Sequence, residues 1–255
     1  MLEQLFLLLG VSLLIQLILF VPAFIYKTDK LTDLSYSISF FILALFAFWQ
    51  SDRGLSHILL FIMISLWAIR LGTYLFIRIR KIDRDKRFDG IRENFFKFFK
   101  FWIGQGLVVW LIMMSAILYF NQAVKINYIS WLGFVLWLIA LVIEAIADWQ
   151  KYIFINNPNN KNNWIESGLW KYSRHPNYFG EILHWVAIYI FVINNLSLID
   201  GLIALISPVF ISIIIIFVTG LPMLERGANK RWGHDPKYLD YKKRTSILVP
   251  WFKFK

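Results

Sequence analysis

The chain has 255 residues, 58% of them hydrophobic and only 17% charged. A soluble domain averages about half apolar and about a quarter charged, so this composition reads as an integral membrane protein with no soluble domain of useful size left over. There is no cysteine, which excludes disulfides, thiolate nucleophiles, iron–sulfur clusters and zinc–thiolate sites. The net charge of +11 would point a soluble protein to nucleic acid. Here the basic residues flank apolar runs, so membrane orientation and anionic partners account for them and no nucleic acid is expected.

A spanning helix needs roughly 20 apolar residues. Residues 5–25 qualify, with Gln16 the only strongly polar side chain; the run opens on Glu3 and has no small-residue cleavage site, unlike a signal peptide. Residues 34–49 form a short second span, and residues 55–76 a third with Arg70 embedded. Residues 101–120 hold Gln105 between Gly104 and Gly106, and residues 128–147 end in Glu144 with Asp148 following. Residues 178–193 begin after Pro176, which favours the first turn of a helix. The seventh span, residues 202–221, is interrupted by Pro208.

Charge supports this count. With seven spans, 24 of the 27 basic residues fall on one face, in residues 27–30, 78–100, 151–174 and 226–255. The positive-inside rule then puts the N-terminus outside and the C-terminus in the cytoplasm. The expected fold is an all-α, seven-helix membrane bundle forming a single domain over residues 1–255. Within it, residues 1–125 hold spans one to four and residues 126–255 the remaining three. Lys-, Ile- and Asn-rich usage without cysteine points to a bacterial inner membrane, or to the endoplasmic reticulum if the chain is eukaryotic. The histidines His57, His175, His184 and His234 lie far apart without metal-ligand spacing, so no metal is expected.

Three groups carry the chemistry. Glu144, Asp148 and Lys151 are spaced four and three apart, one polar stripe of a helix, which is either a solvated end or a buried site. Glu181, His184 and Trp185 share one face of span six, where polar side chains serve interhelical hydrogen bonds as readily as catalysis. Arg226, Lys230 and Arg231 lead into Tyr238 and Tyr241 and a further basic run. That tail suits anionic lipid, or a clamp on the phosphates of a cofactor.

The segment Tyr172-Ser-Arg-His-Pro-Asn-Tyr-Phe-Gly-Glu181, with Trp185 one turn on, resembles the steroid 5α-reductase superfamily. The closest likeness is to its bacterial membrane branch of unassigned function, the DUF1295-type proteins. Further matches are Glu144-Ala-Ile-Ala-Asp-Trp-Gln150, Leu66-Trp-Ala-Ile-Arg-Leu-Gly72, Gln105-Gly106, and Tyr241 leading to Ile247-Leu-Val-Pro250. The resemblance implies an NADPH-dependent reductase that passes hydride to the β-carbon of a lipophilic α,β-unsaturated ketone, with residues 1–125 as its substrate side and residues 126–255 as its cofactor half. It implies that Asn177 and Glu181 contact the nicotinamide or ribose end. Asp148, Tyr172, Arg174 and Arg226 would then hold ribose and phosphates, and Lys230 and Tyr238 would lie over the adenosine end. Glu144, Lys151, His175, Tyr178 and Tyr241 complete the implied cofactor site, and membrane lipid surrounds it. Steroid-reducing members polarise the substrate carbonyl with a Tyr and a Glu in the N-terminal half. Here Trp67 stands at the position of that Tyr and span two has no Glu; Asp33 and Tyr36 are the nearest polar residues, and with Glu181 they form the implied catalytic set. An Arg-His-Pro segment also occurs in membrane methyltransferases of isoprenylcysteine and phospholipids, which use S-adenosylmethionine. The continuation Asn177-Tyr-Phe-Gly-Glu181 and the basic tail favour the reductase over that alternative.

Overall fold

A computed structural model of the chain describes residues 2–81 and 85–251. Arg84, Lys253 and Lys255, counted above among the basic residues of one face, lie outside them. Among the described residues the architecture is helical, with one isolated parallel bridge between Ser173 and Ser246. The main helices are α1 (Leu2–Ile25), α2 (Lys30–Trp49), α3 (Leu55–Lys81), α4 (Phe95–Ile112), α5 (Met114–Phe120), α6 (Tyr128–Asn156), α7 (Pro176–Ile193), α8 (Leu198–Ala204), α9 (Ile206–Ile213), α10 (Leu221–Trp232) and α11 (Pro236–Arg244). Seven helical stretches, the last of them Leu198–Trp232, are long and apolar enough to cross a membrane. Their outward faces carry large apolar side chains such as Leu14, Ile62, Val135 and Val142, as a helix facing lipid requires.

The chain forms two compact units. The first comprises residues 1–131 and 189–207, the second residues 132–188 and 208–255. In the first, α1 packs along α4 and α2, and α2 packs along α3. Small residues let these helices approach: a Cβ on Gly106 would lie 3.0 Å from Leu13 Cδ2, and one on Gly72 would lie 2.5 Å from Ser37 Oγ. Without a hydrophobic drive between helices in lipid, such close packing and interhelical hydrogen bonds hold the bundle. Gln105 supplies several of those bonds. Its Nε2, with two hydrogens to give, lies within hydrogen-bond reach of Thr32 O (3.0 Å), Ser35 Oγ (2.7 Å) and Gln16 Oε1 (3.1 Å), and Gln16 Nε2 in turn donates to Ser39 Oγ (2.8 Å). At the end of α4 that precedes it, buried Arg92 donates to buried Asp29 and to Asp89, while Asp29 Oδ2 accepts the Asp85 N–H at 2.7 Å. This tethers the segment before α4 to the start of α2.

Three differences from the sequence-based spans have physical causes. The fourth span breaks at Met113, where α4 ends and α5 begins; Ser207 Oγ donates to the Ile112 carbonyl (2.5 Å) at that break. The seventh is not one helix with a proline kink but α8, α9 and a π turn at Ile214–Val218 before α10. Pro208 has no N–H to offer the Ala204 carbonyl four residues back, and Ser115 Oγ donates to that carbonyl instead, at 2.7 Å. Beyond the π turn, Gly220 brings its Cα so close to Ile215 that a Cβ would sit 2.5 Å from the Ile215 carbonyl oxygen. The fifth span continues nine residues past Ala147 to Asn156, so Glu144, Asp148 and Lys151 are interior positions of α6 and not its frayed end.

Candidate functional site

The Gly168–Glu181 segment belongs to the second unit, and its first half is shaped by residues of α6. Gly168 has φ +60°, and its backbone sits so close to Gln150 that a Cβ would meet that side chain at 2.3 Å. Gln150 Oε1 accepts the Leu169 N–H (3.0 Å), and Trp170 Nε1 donates to the Ala147 carbonyl (3.1 Å). Lys151 stands over the Trp170 ring, 5.3 Å from its centroid. Pro176 then opens α7, whose first bond runs from Phe179 N–H to the His175 carbonyl (3.1 Å).

Arg174 and His175 converge on one carboxylate. Arg174 Nη1 donates to Glu225 Oε2 at 2.5 Å, and His175 Nε2 lies 2.8 Å from Glu225 Oε1; Lys242 Nζ is 3.8 Å from the same group. Glu225 is on α10 and Lys242 on α11, so this cluster joins three elements. Burial pushes the His175 imidazole below its ordinary value, against the opposing pull of Glu225. A neutral His175 whose Nε2–H donates to the carboxylate follows. Burial likewise raises the Tyr238 and Tyr241 phenols, and Tyr241 donates to the Trp170 carbonyl at 2.9 Å.

These residues line a cavity of about 840 Å³. Its cationic wall is Lys151, Arg174 and Arg231, with Glu225 the carboxylate among them. Its aromatic wall is Trp164, Trp170, Trp232, Tyr238 and Tyr241. Trp164 lies 5.2 Å from Tyr238 and 6.1 Å from Trp232, both edge-on. The Asn-rich loop contributes Asn160, Asn162 and Asn163, and Trp232 Nε1 donates to the Asn162 carbonyl at 2.6 Å. Arg174 Nε and Trp164 Nε1 are buried and have no hydrogen-bond partner among the described residues. Such donors are costly to leave unmade.

The sequence-derived set divides between this cavity and other surroundings. Lys151, Arg174, His175, Tyr238 and Tyr241 line it. Tyr178 stacks on the His175 ring at 5.9 Å, and the Tyr172 carbonyl accepts the Trp251 N–H at 3.3 Å. Arg226 and Lys230 are exposed on α10 and are not among the lining residues, whereas Arg231 is. Asn177 and Glu181 are partly buried on α7, and Asn177 Nδ2 donates to Asp148 Oδ1 on α6 at 3.2 Å. Glu144 and Asp148 are buried, 2% and 5% exposed, which decides against a solvated stripe. His184 takes the interhelical reading of its face, accepting from Trp137 Nε1 at 3.1 Å. Gly180 is where α7 meets α6; a Cβ there would lie 2.8 Å from Glu144 Cβ and 3.1 Å from the Ala140 carbonyl oxygen. Because two of the nearest atoms are backbone, Gly180→Ala is expected to destabilise the protein by about 1–3 kcal/mol, read as a lowered unfolding midpoint in detergent; an unchanged midpoint would show the seam to be loose.

Glu225, Trp164 and Trp232 were not among the residues drawn from the sequence. A signal for Glu225 was present: between Asp200 and Asp235 it is the only acidic residue, set where an apolar run turns basic. The remaining implied catalytic residues belong to the first unit. Asp33 accepts from Arg78 Nη2 at 2.9 Å. Trp67 is wholly buried, packed edge-on against Phe40 at 5.0 Å, and Tyr36 meets the same ring at 4.9 Å.

Comparison with known proteins places this geometry in a family. No curated protein and no solved structure matches the chain. A family model described as "Protein of unknown function (DUF1295)" matches residues 19–245, nearly the whole length, and the chain belongs to that family.

Proposed function

We propose that the protein is an NADPH-dependent membrane reductase of the steroid 5α-reductase type, saturating a carbon–carbon double bond conjugated to a carbonyl in a lipophilic substrate. The observation that carries this reading is the lining of the cavity in the second unit. Three cations, Lys151, Arg174 and Arg231, stand against the single carboxylate Glu225, beside a wall of flat aromatic rings. That combination suits a ligand with phosphates at one part and planar heterocycles at another. The volume falls in the range of small-molecule sites, about 300–1,000 Å³, and the buried Arg174 Nε and Trp164 Nε1, which have no partner among the described residues, are donors that suit acceptors on a ligand.

When bound, NADPH supplies the hydride. Arg174, Lys151 and Arg231 would hold its phosphates, and Trp164, Trp232 and Tyr238 would shield its rings from water. Of the implied catalytic residues in the first unit, Tyr36 is the one with a hydroxyl able to give a proton. Asp33 is held as the counter-ion of Arg78, and the Trp67 indole has no acidic proton to give. On this reading the positive-inside rule would put the N-terminus outside and this cavity on the cytoplasmic side of a bacterial inner membrane, where the nucleotide is found.

The aromatic wall also favours a second reading, a membrane methyltransferase. Rings 5.2–6.1 Å apart around a carboxylate suit the sulfonium of S-adenosylmethionine as a cation–π cage. A thermal-shift titration separates the two. NADPH at a hundred times Kd is expected to stabilise the purified protein by about 2.7 kcal/mol, with S-adenosylmethionine inert. A shift with S-adenosylmethionine alone moves the protein to the methyltransferases, and no shift with either overturns both readings.

A further inference from the structure

Arg174 and His175 precede the first turn of α7, so neither N–H has a partner within that helix. Both find one through the C-terminal tail. Arg174 N–H donates to the Ser246 carbonyl at 2.8 Å. His175 N–H donates to Ser173 Oγ at 3.1 Å, and the Ser173 hydroxyl donates to the Leu248 carbonyl at 2.6 Å. Ser173 is fully buried, so a single hydroxyl oxygen, out of contact with water, joins the backbone of His175 to the tail. Two more bonds run alongside: Trp251 N–H to the Tyr172 carbonyl at 3.3 Å, and Thr245 Oγ1 to the Lys171 carbonyl at 3.4 Å. Residues 245–251 do not themselves line the cavity, whereas Arg174 and His175 do. Whatever the tail contributes to a ligand acts through those two side chains.

We propose that Ser173 and the C-terminal segment 245–251 are positioning elements of the cavity, a clamp that holds Arg174 and His175 in register with Glu225. The ligand-binding part of this rests on the reductase reading; the clamp itself does not. A hydroxyl that accepts from one backbone and donates to another has no substitute in alanine, and losing it leaves a buried His175 N–H and a partly buried Leu248 carbonyl unpaired together. Threonine keeps the hydroxyl. The groups facing His175 are Glu225 from α10, Lys151 from α6 and its neighbour Arg174, with Tyr178 stacked on its ring. A loosened clamp would release the imidazole from all of them into water.

The experiment has a ligand-free arm and an NADPH arm. In the first, histidine side-chain NMR of the full-length protein in detergent follows the titration of His175 in wild type, Ser173→Ala, Ser173→Thr and a chain ended after Arg244. The expected result is an upward movement of the His175 titration, towards the ordinary imidazole range, in Ser173→Ala and in the shortened chain. His57, His184 and His234 stay put, and Ser173→Thr behaves as wild type. An unmoved His175 in both the alanine variant and the shortened chain overturns the clamp. In the second arm, NADPH binds Ser173→Ala at least tenfold more weakly than wild type and Ser173→Thr within threefold. Equal affinity in all variants denies the clamp any role in binding. If wild type itself binds no NADPH, the cofactor reading fails, and the histidine titration still decides whether the tail holds the motif in place.

Discussion

Replacing Glu225 by alanine is expected to destabilise the protein by about 3–5 kcal/mol, the cost of removing one partner from a buried ion pair. Arg174 and Glu225 are only 12% and 16% exposed, so water replaces the missing charge poorly. Arg174 would be left beside Lys242, with His175 deprived of its acceptor. Arg174→Ala should be milder, because Glu225 keeps His175 and Lys242 as partners. The double variant should lose less than the two single losses added, since each then removes a charge that no longer lacks its mate. Denaturant unfolding of the four proteins in one detergent measures this, and additive losses would show that the contact carries no coupling. Glu225→Gln makes a further distinction. It keeps the shape and removes the negative charge, so a phosphate-bearing ligand should bind at least as well, while a sulfonium ligand should bind worse.

How much of this was legible beforehand differs sharply between the spans and the site. The seven apolar stretches are a statement about composition over about twenty residues, and composition is what a bilayer reads. The breaks within them are not. A helix can stop at Met113 or Leu205 only if another side chain takes the freed carbonyl, and Ser207 and Ser115, which do so, lie about ninety residues away. The burial of Glu144 and Asp148 was half legible: their spacing gave a stripe, but only the extension of α6 to Asn156 and the close approach at Gly180 decide that it faces protein.

The motif shows the same limit at closer range. Arg174, His175, Asn177 and Glu181 are neighbours in sequence and read as one constellation. Pro176 separates them physically. It starts α7, so His175 is held out of the helix; Arg174 and His175 turn towards Glu225, while Asn177, inside the helix, meets Asp148 on α6. Glu225 and Trp232 come from α10, about fifty residues on from the motif, and Trp164 from the stretch before it. Their role exists only once α10 and the Asn-rich loop close around the same space as the motif. The basic tail divides in the same way. Arg244 pairs with Glu166 at 2.8 Å and Lys242 donates to Asn229 at 2.7 Å, so part of a charge run that looked like one ligand clamp is holding the unit together.

Turnover gives the sharpest test of the substrate side. On the reductase reading, Tyr36→Phe is expected to lower kcat by about 10²–10⁴, the usual contribution of a general acid, with NADPH affinity unchanged because every proposed cofactor ligand belongs to the other unit. The substitution removes one oxygen and keeps the ring packed against Phe40, so folding should be preserved. Asp33→Asn serves as the contrast. Its pair with Arg78 is partly exposed, 24% and 36%, and such pairs contribute about 0–1 kcal/mol, so stability should barely change. A carboxylate already committed to an arginine has no proton to donate, and kcat should fall far less than for Tyr36→Phe. Trp67→Phe removes an indole N–H that cannot act as an acid and should leave kcat within tenfold. These three variants would be assayed by NADPH oxidation against a panel of lipophilic enones. If Asp33→Asn abolishes turnover while Tyr36→Phe retains it, the acid has been misassigned. The ion pair with Arg78 would then have to open during the reaction.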